Sequence, residues 1–126
     1  MNILLDTHIF LWWNDRPEKL SSSARQAIEN TDNTVYVSAA VIWEIVIKTS
    51  LDRMEAPEDP LAVVYAEGFI SLPITPEYTM MLKTVENIHG DPFDRIQIAQ
   101  AKAEGLALVT HDRNILEYAD LQIIKS

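Results

Sequence analysis

Five short apolar runs, separated by longer stretches that carry helix signals, constrain the fold of this chain more than any other feature. They predict strands at 2–5, 34–37, 69–73, 106–109 and 121–124. Short runs of this kind are typical of strands that are buried on both faces of a parallel sheet. Because these strands alternate with helices along the chain, the sequence predicts an α/β fold in which helices cover both faces of a central parallel sheet.

Capping residues mark where the predicted helices begin and end. Ser23 and Gln26 have the spacing of a capping box, which predicts a helix start at Ser23. Gly68 and Gly105 stand where helices should end, because glycine readily adopts the left-handed conformation of a C-cap. The acidic segment 52–60 is predicted to be a surface connection. Three further helices should begin where a side-chain acceptor precedes a proline, at Asp59-Pro60, Thr75-Pro76 and Asp91-Pro92.

Charge and composition exclude several classes of function. With 10 Lys and Arg against 19 Asp and Glu, the formal net charge is −9, so a partner that carries phosphate needs a bridging cation or a local basic patch. The absence of cysteine removes disulfides, thiol catalysis and cysteine metal sites. The three glycines lack the spacing of dinucleotide-binding and phosphate-binding loops. Since no signal peptide or membrane-spanning segment is recognisable, we expect a soluble cytoplasmic domain with no membrane partner.

Four acidic residues occupy positions where chemistry is expected. Asp6 directly follows the first predicted strand, Asp112 comes shortly after the fourth, and Glu44 lies in a helix that follows the second. Asp94 is in the first turn of the helix that leads into the fourth strand. Open α/β sheets bind ligands beyond the carboxyl ends of their strands. Because clustered carboxylates select hard divalent ions, these four residues are candidate ligands for Mg²⁺ or Mn²⁺.

Several of these acids also have a purely structural interpretation. Asp6 and Asp112 could simply cap the helices that follow them. Asp91 is the natural N-cap of the helix that begins at the next residue. Asp94 then lies in the first turn, where the helix dipole favours a negative charge. Local spacing does not separate these roles from metal binding.

Glu44 is distinguished by its surroundings. Lys48 follows four residues later, which is the order of an ordinary ion pair on a helix surface. The helix is so apolar, however, that nearly every face of it is expected to be buried. A buried carboxylate is costly unless a cation or hydrogen-bond donors compensate it, so this setting favours a functional role.

The histidines and tryptophans near these acids leave alternatives open. His8, His89 and His111 each stand within two residues of a candidate acid, but their spacing matches no zinc motif, so we interpret them as supporting or structural groups. Trp12 and Trp13 exceed what one helix face usually buries. They could form an apolar patch for another chain or pack against neighbouring helices.

Four short blocks that contain the candidate acids extend over essentially the whole chain. They are Leu4-Leu5-Asp6-Thr7-His8, Trp43-Glu44-Ile45, Asp91-Pro92-Phe93-Asp94-Arg95 running into Ile98-Ala99-Gln100-Ala101, and Leu108-Val109-Thr110-His111-Asp112. Their order and separation resemble those of the PIN-domain family, and the match is closest to the VapC-type toxins of bacterial toxin–antitoxin pairs.

The resemblance implies a single PIN domain over residues 1–126, with three α/β/α layers and a central, mainly parallel five-stranded sheet. It also implies an endoribonuclease that depends on Mg²⁺ or Mn²⁺, with one or two ions in each site. By motif, Asp6, Glu44, Asp94 and Asp112 would be the catalytic, metal-binding quartet, and Thr7 would support the first of them.

The resemblance further implies three partners, namely an RNA substrate, a second copy in a homodimer, and a small antitoxin bound along an apolar groove near the active site. Bound divalent ions would make the acidic pocket attractive to phosphate, which answers the objection raised by the net charge. Arg95 and Arg113 each adjoin a candidate ligand. They could contact the RNA backbone or the antitoxin, or form surface ion pairs.

Two other functions remain open at this point. The first is a phosphatase or phosphoacceptor domain with Asp6 as the nucleophile, although His8 stands where such enzymes carry a second aspartate. The second is a non-catalytic binding module with an interface built on Trp12 and Trp13. That alternative leaves the four acids without a cation, which is unfavourable for any of them that is buried.

Overall fold

The computed structural model describes residues 1–85, 90–115, 118 and 120–126 of the chain. In these residues it contains five strands, six α-helices and two short 3-10 helices, Pro17–Lys19 and Leu82–Thr84. The strands are β1 (Asn2–Leu5), β2 (Thr34–Ser38), β3 (Ile70–Leu72), β4 (Ala107–Thr110) and β5 (Ile123–Lys125). The helices are α1 (Thr7–Asp15), α2 (Ser22–Glu29), α3 (Ala39–Ser50), α4 (Pro60–Ala66), α5 (Pro76–Met81) and α6 (Pro92–Glu104). Each predicted strand is present, with its ends displaced by at most two residues. Within the described ranges, no helix has the length and apolarity needed to cross a membrane.

The strands form one parallel sheet in the order β3-β2-β1-β4-β5. The first strand lies at its centre, where Leu5 pairs with Val37 of β2 on one side and with Val109 of β4 on the other. The predicted α/β fold with a parallel sheet is therefore confirmed. This register brings the carboxyl ends of β1, β2 and β4 to the same edge of the sheet.

The core consists of two clusters of buried side chains, one on each face of the sheet. Ile3 and Leu5 belong to one cluster, together with residues of α1 to α4, whereas Leu4 belongs to the other, together with residues of α6. Successive side chains of a strand point to opposite faces, so β1 is covered on both sides. Fully burying one such aliphatic side chain contributes roughly 1.5–3 kcal/mol. Packing against both clusters therefore fixes the position of β1 and of Asp6, the residue that follows it.

Most of the predicted helix signals are confirmed. The side chains of Asp59, Thr75 and Asp91 accept hydrogen bonds from the first turns of α4, α5 and α6. Gly105 ends α6 in the left-handed conformation, at φ 65°. The segment 52–60 contains no helix before Pro60 and is largely exposed, as expected of a surface connection.

The predicted start of α2 at Ser23 is wrong by two residues. The N-cap is Ser21, whose hydroxyl oxygen accepts a hydrogen bond from the Ala24 N–H at 3.1 Å. Three consecutive serines offer similar caps, and contacts with β5 decide between them. Ser21 donates its hydroxyl to the carbonyl of Lys125 at 2.9 Å, and its N–H donates to Ser126 Oγ at 3.0 Å.

The expectation that nearly every face of α3 is buried is also wrong. Trp43 is 54% exposed and Val46 is 55% exposed, whereas Glu44 is 4% exposed. The apolar sequence favours burial, but the neighbouring elements cover one side of the helix and leave the Trp43 and Val46 side open. The ring of Trp43 is in edge contact with Phe93 of α6, with centroids 5.0 Å apart.

Both tryptophans of α1 pack within the chain. Trp12 and Trp13 are half-buried against the core cluster that contains Leu5. Trp13 lies beside Phe69, with ring centroids 6.4 Å apart, and its indole N–H donates to Glu67 at 3.3 Å. Of the two interpretations of this pair, the structure supports packing against neighbouring elements.

Candidate active site

A cleft of about 260 Å³ opens where β1 and β4 end. Each of the four acids singled out from the sequence lies on a different element, and all four line this cleft. The lining residues are Asp6, Thr7, His8, Glu44, Lys48, Asp91, Asp94, His111 and Asp112. The fold therefore brings the candidate residues together from positions more than one hundred residues apart in the chain.

Asp6 has both a structural and an electrostatic role at the end of β1. Its Oδ1 accepts the Ile9 N–H at 3.1 Å and caps α1, while its Oδ2 accepts a hydrogen bond from the Thr110 hydroxyl. Burial raises the pKa of Asp6 to about 6, against the lowering effect of these two donors. The negative charges of Asp112 and Glu44 raise the pKa further. The carboxylate is thus held in a position where a negative charge is costly.

Glu44 is a buried carboxylate with two protein partners. Its Oε1 accepts a hydrogen bond from the Thr7 hydroxyl at 2.6 Å, and its Oε2 forms an ion pair with Lys48. The hydrogen bond to Glu44 raises the pKa of Lys48, and the negative charges of Glu44, Asp91 and Asp94 raise it further. The ion pair predicted from the four-residue spacing of Glu44 and Lys48 is present. Glu44 is buried, however, so Lys48 places its positive charge in the cleft rather than on an open helix surface.

The start of α6 contributes two acids to the cleft. Asp91 is the N-cap, as expected, and its Oδ1 accepts the N–H groups of Phe93 at 2.8 Å and Asp94 at 3.2 Å. Asp94 lies in the first turn of the helix. Its backbone is therefore fixed by the cap while its carboxylate reaches the cleft.

Asp112 is held by the segment that follows β4. Its Oδ1 accepts the Asn114 N–H at 2.9 Å, so it caps the turn at residues 113–114. Its own N–H donates to Thr110 Oγ1 at 3.0 Å. Because the Thr110 hydroxyl also donates to Asp6, one buried threonine connects two of the four acids.

Thr110 is a site residue that sequence reasoning missed. The register of β1 and β4 indicates its role. Leu5 pairs with Val109, so the next residues of the two strands, Asp6 and Thr110, lie side by side. A hydroxyl at this position can donate to one acid and accept from the backbone of the other. Recognising it required knowing that β1 and β4 are neighbours.

Two of the three histidines, His8 and His111, line the cleft. His8 and His111 are exposed and flank Trp12, with ring centroids 6.0 Å and 5.1 Å from that of the indole. Nδ1 of His111 lies 2.7 Å from the carbonyl oxygen of Ser126. The prediction for His89 falls outside the described residues.

Arg95 forms hydrogen bonds to the backbone that the sequence did not indicate. It is half-buried, and Nη2 donates to the carbonyl oxygens of Val85 at 3.3 Å and Leu82 at 3.5 Å. It therefore ties α6 to the segment before it and does not line the cleft. Arg113, by contrast, is exposed.

The acids of the cleft are chemically suited to bind a hard divalent cation, because carboxylate oxygens are the ligands that such ions prefer. As positioned, however, no three of the His, Asp and Glu side chains in the described part of the chain stand close enough together to hold an ion. Glu44 is paired with Lys48, and Asp6 is bound by Thr110. Small side-chain movements, including release of Glu44 by Lys48, would have to precede metal binding.

The fold agrees with comparisons with known proteins. Residues 3–121 match the sequence model of the PIN domain family. The chain therefore belongs to the PIN-domain family, and the resemblance noted from its four acidic blocks is confirmed.

The relatives place the chain near the VapC group within that family. It is 33% identical over 117 residues to Ribonuclease VapC22 of Mycobacterium tuberculosis, covering 90% of this chain and 88% of that protein. Its fold is similar to VapBC2 from Rickettsia felis bound to a promoter DNA fragment, with TM-score 0.74, 16% identity and 99% and 98% of the two chains covered. It is also similar to DNA-bound VapBC from Salmonella typhimurium, with TM-score 0.68, 18% identity and the same coverage. At these identities the two structures establish the fold alone.

Proposed function

We propose that this chain is a metal-dependent endoribonuclease and the toxin of a toxin–antitoxin pair, with residues 1–126 forming a single PIN domain. The observation that carries the proposal is the convergence of Asp6, Glu44, Asp94 and Asp112 on one cleft. The relative named Ribonuclease VapC22 supports the choice of RNA as the substrate. Family membership supports a nuclease over a phosphatase built on the same fold class.

The electrostatics of the cleft support a requirement for Mg²⁺ or Mn²⁺. Asp6 and Glu44 are both buried, and burial raises the pKa of Asp6 to about 6. A divalent cation would offset this penalty, because it favours the ionised form of every nearby carboxylate. When bound by the four acids, one or two such ions would supply an activated water and balance the charge of the phosphodiester.

The protein's own contribution is to hold the carboxylates in place. Thr110 and the Ile9 N–H fix the two oxygens of Asp6, and the Thr7 hydroxyl fixes one oxygen of Glu44. Such positioning reduces the reorganisation needed when charge develops on a substrate. Lys48 balances the negative charge of Glu44. If a divalent ion were bound to Glu44, it would take over this role and the ammonium group of Lys48 would be free to contact the phosphate.

We also propose a small antitoxin and a second copy of the chain as partners. Support for the antitoxin comes from the structural neighbours, which include a toxin–antitoxin complex from Klebsiella pneumoniae and VapBC-5, a toxin–antitoxin system of Mycobacterium tuberculosis. Size-exclusion chromatography with light scattering tests the homodimer directly. A monomer at micromolar concentration would contradict that part of the proposal.

Cleavage of RNA by the purified protein tests the main proposal. Generic single-stranded RNA should be cleaved with Mg²⁺ or Mn²⁺ and left intact with a chelator. The Asp94→Asn variant should lose at least 100-fold in rate, on the order of what removal of one catalytic charge costs. Asp59→Asn is the matched control, since Asp59 also lies at a helix start but is exposed and outside the cleft.

Two results would overturn the proposal. Equal cleavage in chelator would show that the reaction does not require a metal ion. Full activity of Asp94→Asn would show that the four acids do not act together as the catalytic site. Thermal unfolding provides a check that does not depend on activity, because a native state that binds metal must melt at a higher temperature in millimolar Mg²⁺. An unchanged melting temperature, together with no cleavage, would favour a binding module.

A further inference from the structure

A second cavity lies beside the acidic cleft and has the opposite electrostatic character. It measures about 250 Å³ and adjoins the cleft at His8, which lines both. Trp12 forms part of its wall, and Arg16, Lys19 and Arg53 bring three positive charges to it. We call this cavity, defined by these five residues, the basic side pocket.

The charge of the basic side pocket is unusual for this chain. Only 10 of its residues are Lys or Arg, and three of them line this one cavity. Two acids, Asp15 and Glu55, also line the cavity, so the cations outnumber them by one. Within the part of the chain that the structure describes, Arg16, Lys19 and Arg53 form no ion pair. These exposed cations therefore remain available to an anionic ligand.

Aromatic rings connect the two cavities. His8 and His111 flank Trp12, and both histidines also line the acidic cleft. On the pocket side, Lys19 Nζ stands 5.6 Å from the centroid of the indole ring of Trp12. Cations beside aromatic rings are the usual elements of sites for single-stranded nucleic acid, in which phosphates meet the charges and unpaired bases stack on the rings.

We propose that the basic side pocket binds the nucleotide next to the cleaved phosphodiester of a single-stranded RNA. The proposal rests on the ribonuclease function proposed above and specifies how its substrate is held. The flanking phosphate contacts Arg16, Lys19 and Arg53, and the base of that nucleotide stacks on His8 and Trp12. The pocket thus supplies the local basic patch that an acidic protein needs to hold RNA outside its metal site.

A double variant, Lys19→Gln with Arg53→Gln, tests the pocket without changing the acidic cleft. Both side chains are exposed, so the fold should tolerate the change. The variant should raise KM for single-stranded RNA, and Kd for a fluorescein-labelled oligoribonucleotide measured by anisotropy, roughly tenfold. The slope of log Kd against log salt should fall by about 0.7, as expected when one phosphate contact on a single strand is lost. Lys83→Gln, at an exposed lysine that lines neither cavity, should leave all three quantities as in the wild type.

The two readouts separate failure of the pocket from failure of the proposed function. Cleavage by the wild type with equal KM, Kd and salt slope in the double variant would overturn the pocket and leave the ribonuclease standing. RNA binding that is weakened in the double variant, without cleavage by the wild type, would support the pocket and overturn the ribonuclease. Absence of both binding and cleavage would overturn both. Tight binding of an acidic peptide in place of RNA, lost in the same variant, would reassign the pocket to a protein partner.

Discussion

Replacing Asp6 with asparagine is expected to stabilise the metal-free protein at neutral pH. The pKa of Asp6 is raised from 3.8 to about 6, chiefly because burial penalises the charged form. At about 1.4 kcal/mol for each pKa unit, ionising Asp6 in the native state costs roughly 3 kcal/mol. Asparagine removes this cost and keeps an oxygen for the Ile9 N–H. It weakens the hydrogen bond with Thr110 by about 1 kcal/mol, which leaves a net gain of roughly 2 kcal/mol.

The direction of the pKa shift sets the pH range in which this gain appears. Below pH 3.8, Asp6 is protonated in the folded and unfolded states alike and costs nothing. Between pH 3.8 and about 6 the unfolded chain releases its proton first, so the stability of the wild type falls as pH rises. Above about pH 6 Asp6 is ionised in both states, so the stability of the wild type falls no further through this residue. The advantage of Asp6→Asn should therefore grow through this window and then stay constant.

Thermal unfolding followed by circular dichroism, in chelator and from pH 4 to pH 8, measures the effect. A gain of about 2 kcal/mol corresponds to a rise in melting temperature of roughly 6–8 °C for a chain of this size. Asp59→Asn serves as the control, because Asp59 caps α4 through the Ala62 N–H at 3.0 Å but is exposed. A difference between Asp6→Asn and the wild type that does not change with pH would refute the reasoning, since burial would then not raise the pKa of Asp6.

Three further substitutions test the contacts that support the cleft and α6. Lys48→Met leaves Glu44 as a buried carboxylate without its cation, so the free energy of unfolding in chelator should fall by about 2 kcal/mol, and Mg²⁺ should raise the melting temperature more than in the wild type. Thr7→Val removes the hydroxyl that donates to Glu44 at 2.6 Å and should cost about 2 kcal/mol in urea unfolding. Gly105→Ala meets no atom within 4 Å but forces alanine to φ 65°, so it should cost about 1 kcal/mol and leave RNA cleavage intact. A urea midpoint equal to that of the wild type would contradict the expected cost in each case.

The sheet and most helix boundaries were predictable because their signals are local. A short apolar run indicates a buried strand wherever it stands in the chain. Likewise, Asp91 before a proline and Gly105 after a helix encode a start and a stop within a few residues. The positions of the four acids relative to these elements could then be read from the general rule for parallel sheets.

The details that could not be predicted depend on contacts between distant parts of the chain. Ser21 rather than Ser23 caps α2 because the end of the chain binds it. Thr110 joins the site because β4 happens to lie next to β1. The exposure of Trp43 likewise depends on which elements cover α3. The sequence of α3 does not indicate the covered face, because the helix is apolar on both sides. None of these choices has a signal within one element.

The central position of β1 has a consequence for how the protein is made. Asp6 is translated 104 residues before Thr110, whose hydroxyl donates to it, and the N–H of Asp6 donates to the carbonyl of Val109. A growing polypeptide that has been translated only through α6 therefore lacks both of these contacts and also lacks Asp112. If the cleft cuts RNA, a growing chain gains that activity only after residues 109–112 have left the ribosome and β4 has paired with β1.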